Sequence, residues 1–333
     1  MSPRLLLAGA FCLAFLAACG GGDGDVLTVY SGRSQDLVEP ILEQFHDDTG
    51  IDIEVRYGDT AEMAATILEE GDNSPADVFF AQDAGALGAI DAEGRLTELP
   101  EEVLARVPDQ FRSPDNDWVG ISGRSRVVAY NTEALTPEDL PGSILDFTDT
   151  DWEGRVGWAP ANGSFQAFVT GLRLTEGEDG ARQWLEAMRD NGAVEYPNNT
   201  SIVEAVASGE VDVGFVNHYY LFQFLEEAGD GFGARNHYLA AGDAGALVNI
   251  AGAAILDTAK NRENAERLIE FLLAADAQQY FADQTFEYPL VEGIETHPEL
   301  TPLAELEPPA INLADLADLE GTLELLRETG VLP

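Results

Sequence analysis

The chemistry-bearing residues concentrate in VDVGFVNHYYLFQF, positions 211–224. An apolar run ends at Asn217-His218, and Tyr219 and Tyr220 follow directly. Paired phenols suit a hard, highly charged cation. Oxygen donors match hard ions, and a trivalent ion stabilises phenolate although a free tyrosine ionises only near pH ~10. On a regular strand, neighbouring side chains point to opposite faces. The two rings therefore converge only if the chain turns there, as a strand-to-helix junction permits. The competing expectation is an aromatic helix in which Tyr219 and Tyr220 pack into the core with Phe222 and Phe224. His218 suits structural hydrogen bonding beside the pair. His46, His237 and His297 are scattered and form no HxxxH or HExxH pattern.

The elements that must position these residues alternate along the chain. Leu27–Tyr30 reads as a strand, Leu37, Ile41 and Phe45 as a helix face, and Ile51–Val55 as an alternating strand. Met63–Leu68 lies in a helix, Asp77–Phe80 in a strand and Leu87–Ile90 in a helix. This rhythm predicts a mostly parallel, doubly wound α/β sheet. Val127–Asn131 reads as a strand leaving the first lobe. A second α/β unit follows, with helices near 165–174, 181–189, 202–208 and 219–228, and a strand at Val211–Val216. Gly252–Leu256 is the expected return strand. Helix 262–275 and the C-terminal segments are then expected to pack back on lobe one. The expected layout is lobe one over 26–126, lobe two over 127–250, and a return with C-terminal helices over 251–333. Two lobes joined by a double crossover leave a cleft at the carboxyl ends of strands, where ligands sit in open sheets.

The chain has 333 residues, 61 Asp plus Glu, 17 Lys plus Arg, and a formal net charge of −44. Contacts to nucleic acid or anionic headgroups need cationic side chains, so this balance excludes nucleic acid as a partner. Lys260 is the only lysine. Abundant Asp and Glu with almost no lysine suit a protein exposed to high salt outside the cell.

Residues 1–19, MSPRLLLAGAFCLAFLAAC, begin with Arg4 and an apolar run too short to span a bilayer as a ~20-residue helix. Leu16-Ala17-Ala18-Cys19 resembles a bacterial lipobox. Residues 1–18 are expected to be a signal peptide, with Cys19 lipidated and 20–25 a flexible tether continuing from it. The membrane is then met only through this lipid anchor, at the outer face of the cell membrane. Cys12 and Cys19 are the only cysteines, so the mature body has neither a disulfide nor a thiolate site.

Several segments together carry a family likeness. These are LTVYSGRSQDLVEPIL (27–42), EEGDNSPADVFFAQDAGAL (69–87), WVGISGRSRVVAYN (118–131), GRVGWAPANGSFQAF (154–168), VNHYY (216–220), GDAGALV (242–248) and EYPL (287–290). In this order and spacing the chain is similar to the periplasmic ferric-ion-binding proteins, or bacterial transferrins, over nearly all of 26–333. The resemblance implies a type II periplasmic-binding fold that closes on Fe³⁺ and hands it to the permease of an ABC importer. It is expected to act as a monomeric carrier, not an enzyme. The metal ligands it implies are Tyr219 and Tyr220. Other ligand positions of the family hold Ser34, Gln82 and Asn162 here, so extra protein ligands are missing. Gln82, Asp83 and Tyr30 remain weaker candidates, since the first two suit a solvated strand end and Tyr30 a packed aromatic.

Fe³⁺ takes about six donors, and two phenolates leave positions open. The resemblance implies a synergistic carbonate or phosphate in some of them. Arg33 follows the first strand, and its guanidinium fork fits such an anion bidentately. Asn162-Gly163-Ser164 precedes a helix whose free N–H groups favour an anion. Asn199 and Asn217 match anion-contact positions of the family, and Arg124 is expected just behind them. Simpler roles compete: caps for Asn162 and Ser164, ion pairs for Arg33 and Arg124, and turn chemistry for Asn199. The alternative function keeps the scaffold and changes the ligand to an organic anion such as a phosphonate, or a solute such as thiamine. A hydrolase is disfavoured, because no GxSxG, thiol nucleophile or paired catalytic motif occurs.

Overall fold

The computed structural model describes residues 26–333. The expected signal peptide, the tether and Cys19 lie outside them. The strands and helices of the first half are β1 (Val26–Ser31), α1 (Gln35–Thr49), β2 (Asp52–Tyr57), α2 (Thr60–Glu70), β3 (Val78–Ala81), α3 (Ala84–Ala92), α4 (Glu101–Leu104) and β4 (Trp118–Asn131). Then come β5 (Val156–Trp158), α5 (Gly163–Asp190), β6 (Val194–Glu195), α6 (Asn199–Ser208), β7 (Val213–Asn217), α7 (Tyr219–Ala228) and β8 (Ala234–His237). The remainder is β9 (Val248–Ile255), α8 (Arg262–Leu272), α9 (Ala275–Gln284), β10 (Tyr288–Pro289) and α10 (Leu319–Glu328).

The strands follow the order β2-β1-β3-β9-β4-β7-β5-β6, with β8 and β10 also paired to β4. β1 runs parallel to β2 and β3, and β5 runs parallel to β6 and β7. β4 joins the two parallel groups. Its Trp118–Ser125 portion pairs antiparallel with β9, and its Arg126–Tyr130 portion pairs antiparallel with β7. The chain crosses again between β8 and β9. All fourteen residues of β4 are buried, as a strand covered on both faces must be.

Each half has its own core. One gathers Leu27, Val29, Phe45, Phe79, Ile255 and Leu268 between β1, β3 and β9 and helices α1, α3 and α8. The other is built on Trp158, Phe165, Phe168, Trp184 and Phe215. α5 bends at Gly177, which has φ 76° and ψ 168°. That bend is why the sequence reads as two helices there. Glycine permits this backbone, and a side chain would strain it.

The C-terminal part differs from expectation. Leu313 and Leu316 do join the first core. A side chain on Gly85 or Gly88 of α3 would meet the carbonyl oxygens of Leu316 and Ala314 at 2.5 and 2.6 Å, so glycine is what lets this segment lie against the helix. α10 then leaves lobe one. Leu325, Leu326 and Val331 complete the second core. The Thr170 and Thr322 hydroxyls hydrogen-bond at 2.8 Å, and Arg173 pairs with Asp318 at 2.8 Å. The apolar stripe of α10 finds its uncovered partner on α5, so residues 313–328 strap the two halves together. The strand expected at Gly252–Leu256 also begins earlier, at Val248.

Candidate metal and anion site

A cavity of about 650 Å³ opens between the two halves. Gln82, Asp83 and Arg124 line one wall, and Asn162, Gly163, Ser164, Asn217 and Tyr220 line the other. Strand ends and the starts of α3, α5 and α7 meet here, so the expected ligand crevice at the carboxyl ends of strands is present.

β7 runs into α7 with only His218 between them. The turn brings the two phenols together. Their ring centroids are 4.3 Å apart with planes inclined by 29°. Burial pushes the Tyr220 phenol far above its ordinary value. The adjacent Tyr219 adds to this, and the Arg124 charge opposes it. The phenol therefore keeps its proton until a strongly charged cation displaces it. His218 is committed elsewhere. Its Nδ1 accepts from the Ser125 N–H at 3.1 Å, and its Nε2–H donates to the Phe286 carbonyl at 2.8 Å. Burial holds the imidazole down to about 4. It ties the start of α7 to β4 and to the loop after α9.

Four of the expected anion residues meet around one guanidinium, that of Arg126. Asn162 caps α5, its Oδ1 accepting from Ser164 N–H at 3.0 Å. The Asn199 amide donates to Asn162 Oδ1 at 3.2 Å and to Ser164 Oγ at 3.3 Å, and its oxygen accepts from Asn217 N–H at 3.1 Å. Arg126 Nη1 reaches Ser164 Oγ, Asn199 Oδ1 and Asn217 Oδ1 at 3.4, 3.4 and 3.3 Å. Its Nη2 is buried with no partner among the described residues. Burial lowers this guanidinium to about 10, so it stays charged at neutral pH. The capping role of Asn162 and its place in this cluster are compatible. The amides of Ser164, Phe165 and Gln166 are already held by Asn162, so Nη2 of Arg126 is the donor the cluster leaves open, and a side chain at Gly163 would meet nothing within 4 Å.

The other arginines are placed differently. Arg33, expected as the bidentate anion ligand, has its fork filled by Glu287: Nη1 to Oε1 is 2.9 Å and Nη2 to Oε2 is 2.7 Å. Both side chains are almost fully buried. Ser122 and Thr285 hydroxyls donate to the same carboxylate at 3.2 and 3.0 Å. Burial works against ionising Glu287, but the Arg33 and Arg124 charges outweigh it and hold the carboxyl below its ordinary range. A buried carboxylate thus occupies both terminal nitrogens of Arg33, the fork expected for the anion. Arg124 lines the cavity and donates from Nη2 to the carbonyls of Gln82 and Ile250.

The weaker metal candidates divide. Gln82 lines the cavity, with its backbone carbonyl held by Arg124. Asp83 also lines it, but one oxygen caps α3 by accepting from Ala86 N–H at 3.0 Å. Tyr30 is not in the cavity wall. Its hydroxyl donates to Glu70 at 3.0 Å, and Arg56 stacks 5.2 Å from its ring centroid. The packed-aromatic role is the one it fills. The residues missed are Arg126 and Glu287. Arg124 and Arg126 are two apart on one strand and share a face, a signal that SGRSR already carried. Glu287 is an acid in the apolar run FEYPLV, which calls for a buried cation.

Residues 73–311 match the family model described as bacterial extracellular solute-binding protein. The chain is 33% identical to the Fe(3+)-binding periplasmic protein of Serratia marcescens, covering 100% of this chain and 98% of that one. It is 32% identical to the major ferric iron-binding protein of Neisseria meningitidis, over 92% and 93% of the two chains. Among solved structures, iron-bound HitA from Pseudomonas aeruginosa superposes with a TM-score of 0.85 at 36% identity, covering 92% of this chain and 99% of that one. A Trichodesmium protein in complex with iron and citrate superposes with a TM-score of 0.81 at 27% identity, covering 92% and 99%. The fold is accordingly the type II periplasmic-binding fold, and the chain belongs to the bacterial extracellular solute-binding proteins, among the periplasmic ferric-ion-binding proteins.

Proposed function

We propose that the protein captures Fe³⁺ together with a small oxyanion and delivers it to the permease of an ABC importer. Tyr219 and Tyr220 bind the ion as phenolates. Arg126, the start of α5 and the Asn162–Ser164–Asn199–Asn217 cluster hold the anion, carbonate or phosphate, which supplies donors the protein lacks. The Arg124 charge favours the ionised form of Tyr220. The two halves close about β4 and the 238–247 crossing, burying the ion. The N-terminus is tethered to the membrane through a lipid on Cys19, with 26–126, 127–250 and 251–312 forming the two-lobed body and the strap following.

One observation carries this reading. In a chain with 61 acidic residues, the cavity beside the paired phenols holds a buried guanidinium with no carboxylate partner among the described residues. That juxtaposition supports reading the phenols as the cation site and the guanidinium as the neighbouring anion site. The test is visible absorption. Ferric ion with bicarbonate is expected to produce a tyrosinate charge-transfer band, and Tyr219→Phe with Tyr220→Phe to abolish it. A colourless protein under these conditions rules the reading out. The same Arg126 cluster supports a second reading, capture of an organic phosphonate without metal. Calorimetry with phosphonates in iron-free buffer separates the two.

A further inference from the structure

The cavity between the halves is far larger than an ion with carbonate or phosphate requires. It encloses about 650 Å³. A water molecule's share of liquid is about 30 Å³, so an ion and an inorganic anion together fill on the order of 100 Å³. The charged residues of the wall are Arg124 and Arg126 on β4, and Asp59 and Asp83 at the starts of α2 and α3. Away from them the wall is apolar: Ala65 and Leu68 of α2, Ala89 of α3, Ala167 of α5, and Leu316 and Leu319 of the strap. This end runs about 12 Å along α2, from Thr60 to Leu68. In a chain with 61 acidic residues, no charged side chain lines it among the described residues. Leu68 is left 39% exposed there. At the other end Arg126 is 5% exposed, and its Nη2 has no partner among the described residues. One cavity thus carries a buried, unpaired cation at one end and an uncovered apolar trough at the other.

We propose that the cavity takes, in place of an inorganic anion, a 2-hydroxycarboxylate with an alkyl chain; this deepens the ferric reading and rests on it. The carboxylate meets Nη2 of Arg126 in a charge-assisted hydrogen bond. The neighbouring hydroxyl and carboxylate oxygens are hard donors that suit a ferric ion held by Tyr219 and Tyr220. The chain lies in the trough between α2, α3, α5 and the strap, and takes Leu68 out of water. A neutral ligand would leave the guanidinium unpaired. A wholly polar anion would leave the trough wet. An amphiphilic acid is the class that satisfies both ends, as expected of a cavity that joins an apolar wall to a few convergent polar groups.

The test compares lactate, 2-hydroxyhexanoate and 2-hydroxyoctanoate as the anion in ferric titrations, with bicarbonate as the reference. The three acids share one head group, so their own hold on Fe³⁺ in solution is matched. The acid concentration that gives half the charge-transfer band is expected to fall by about fourfold for each methylene the trough buries. Leu68→Gln and Leu319→Gln change side chains that are not fully buried, and each is expected to shrink the ratio between octanoate and lactate forms. A second arm uses calorimetry on the Tyr219→Phe, Tyr220→Phe protein in iron-free buffer, where 2-hydroxyoctanoate is expected to bind more tightly than lactate. A band with bicarbonate but equal midpoints for the three acids overturns this proposal and leaves the ferric reading standing. A chain-length gain that survives both glutamine substitutions also overturns it. No band with any anion, together with a chain-length gain in calorimetry, overturns the ferric reading and keeps the organic-acid site.

Discussion

Glu287→Gln offers the sharpest test of how the site is supported. The native carboxylate receives both arms of Arg33 and two hydroxyls, in a place with almost no solvent. Glutamine keeps an acceptor for Ser122 and Thr285 but leaves the Arg33 charge uncompensated. Removing one partner of a buried pair costs about 3–5 kcal/mol. At roughly 2–4 °C per kcal/mol for a chain of this size, Tm should fall by about 10 °C. Replacing both partners by apolar groups, Arg33→Met with Glu287→Leu, should recover part of that loss, because neither of those charges then needs solvation, while Arg124 still loses the carboxylate 3.9 Å from its Nε. Thermal unfolding followed by circular dichroism measures both effects. The double variant also decides what Arg33 does. If it only supports the fold, the refolded double variant keeps the iron- and bicarbonate-dependent absorption band. A Glu287→Gln loss below about 1 kcal/mol, the scale of an exposed pair, would refute the reasoning. So would a stable double variant that has lost the band.

Other consequences are as direct. Between pH 6.5 and about 4 the unfolded chain takes up a proton at His218 that the folded protein refuses. Stability should therefore fall by up to about 3 kcal/mol on acidification through that window, and His218→Gln should flatten the slope in urea titrations. Glu287 acts at lower pH: its contribution is present above its ordinary carboxylate range and is lost as pH falls through its depressed folded value. Arg126→Gln removes a desolvated, unpaired cation, so Tm should hold or rise while the bicarbonate dependence of the absorption band disappears in ferric titrations. If both tyrosines bind as phenolates, about two protons should be released per Fe³⁺ bound, measurable by pH-stat. Unfolding midpoints should rise from low to molar NaCl as self-repulsion of the acidic surface is screened.

The sequence was most legible where one face of an element is apolar. The helix at Leu37, Ile41 and Phe45 and the strands at Leu27–Tyr30 and Asp77–Phe80 appear at the expected positions because burial there is one-sided or continuous over a short run. β4 was read only from Val127 onward. Its first half, Trp118–Arg126, carries Gly120, Gly123 and two arginines. Every position there is buried, which hides any alternation. The tyrosine turn at His218 was legible from local chemistry; Asn162 and Ser164, offered by the helix start, hydrogen-bond with Asn199, offered by the family likeness, which in turn holds the Asn217 amide. The partner of Arg33 was not, since Glu287 lies 254 positions away. A guanidinium looks the same in sequence whether it faces a ligand or a buried carboxylate. α10 was misplaced for a similar reason: its apolar stripe shows that it packs, and says nothing of which half it packs against.

The strap also bears on when the protein can fold. The core around Phe168 and Trp184 is finished by Leu325, Leu326 and Val331, and the Thr170–Thr322 contact closes a loop of 152 positions. Contacts this distant form late, because the chain must lose the entropy of closing the loop first. The half that carries Tyr219 and Tyr220 thus lacks a complete core until residues 319–331 have been synthesised. A chain emerging from the ribosome would hold that half open until α10 has emerged, which favours keeping the chain threadable while the residues before it are still unpacked.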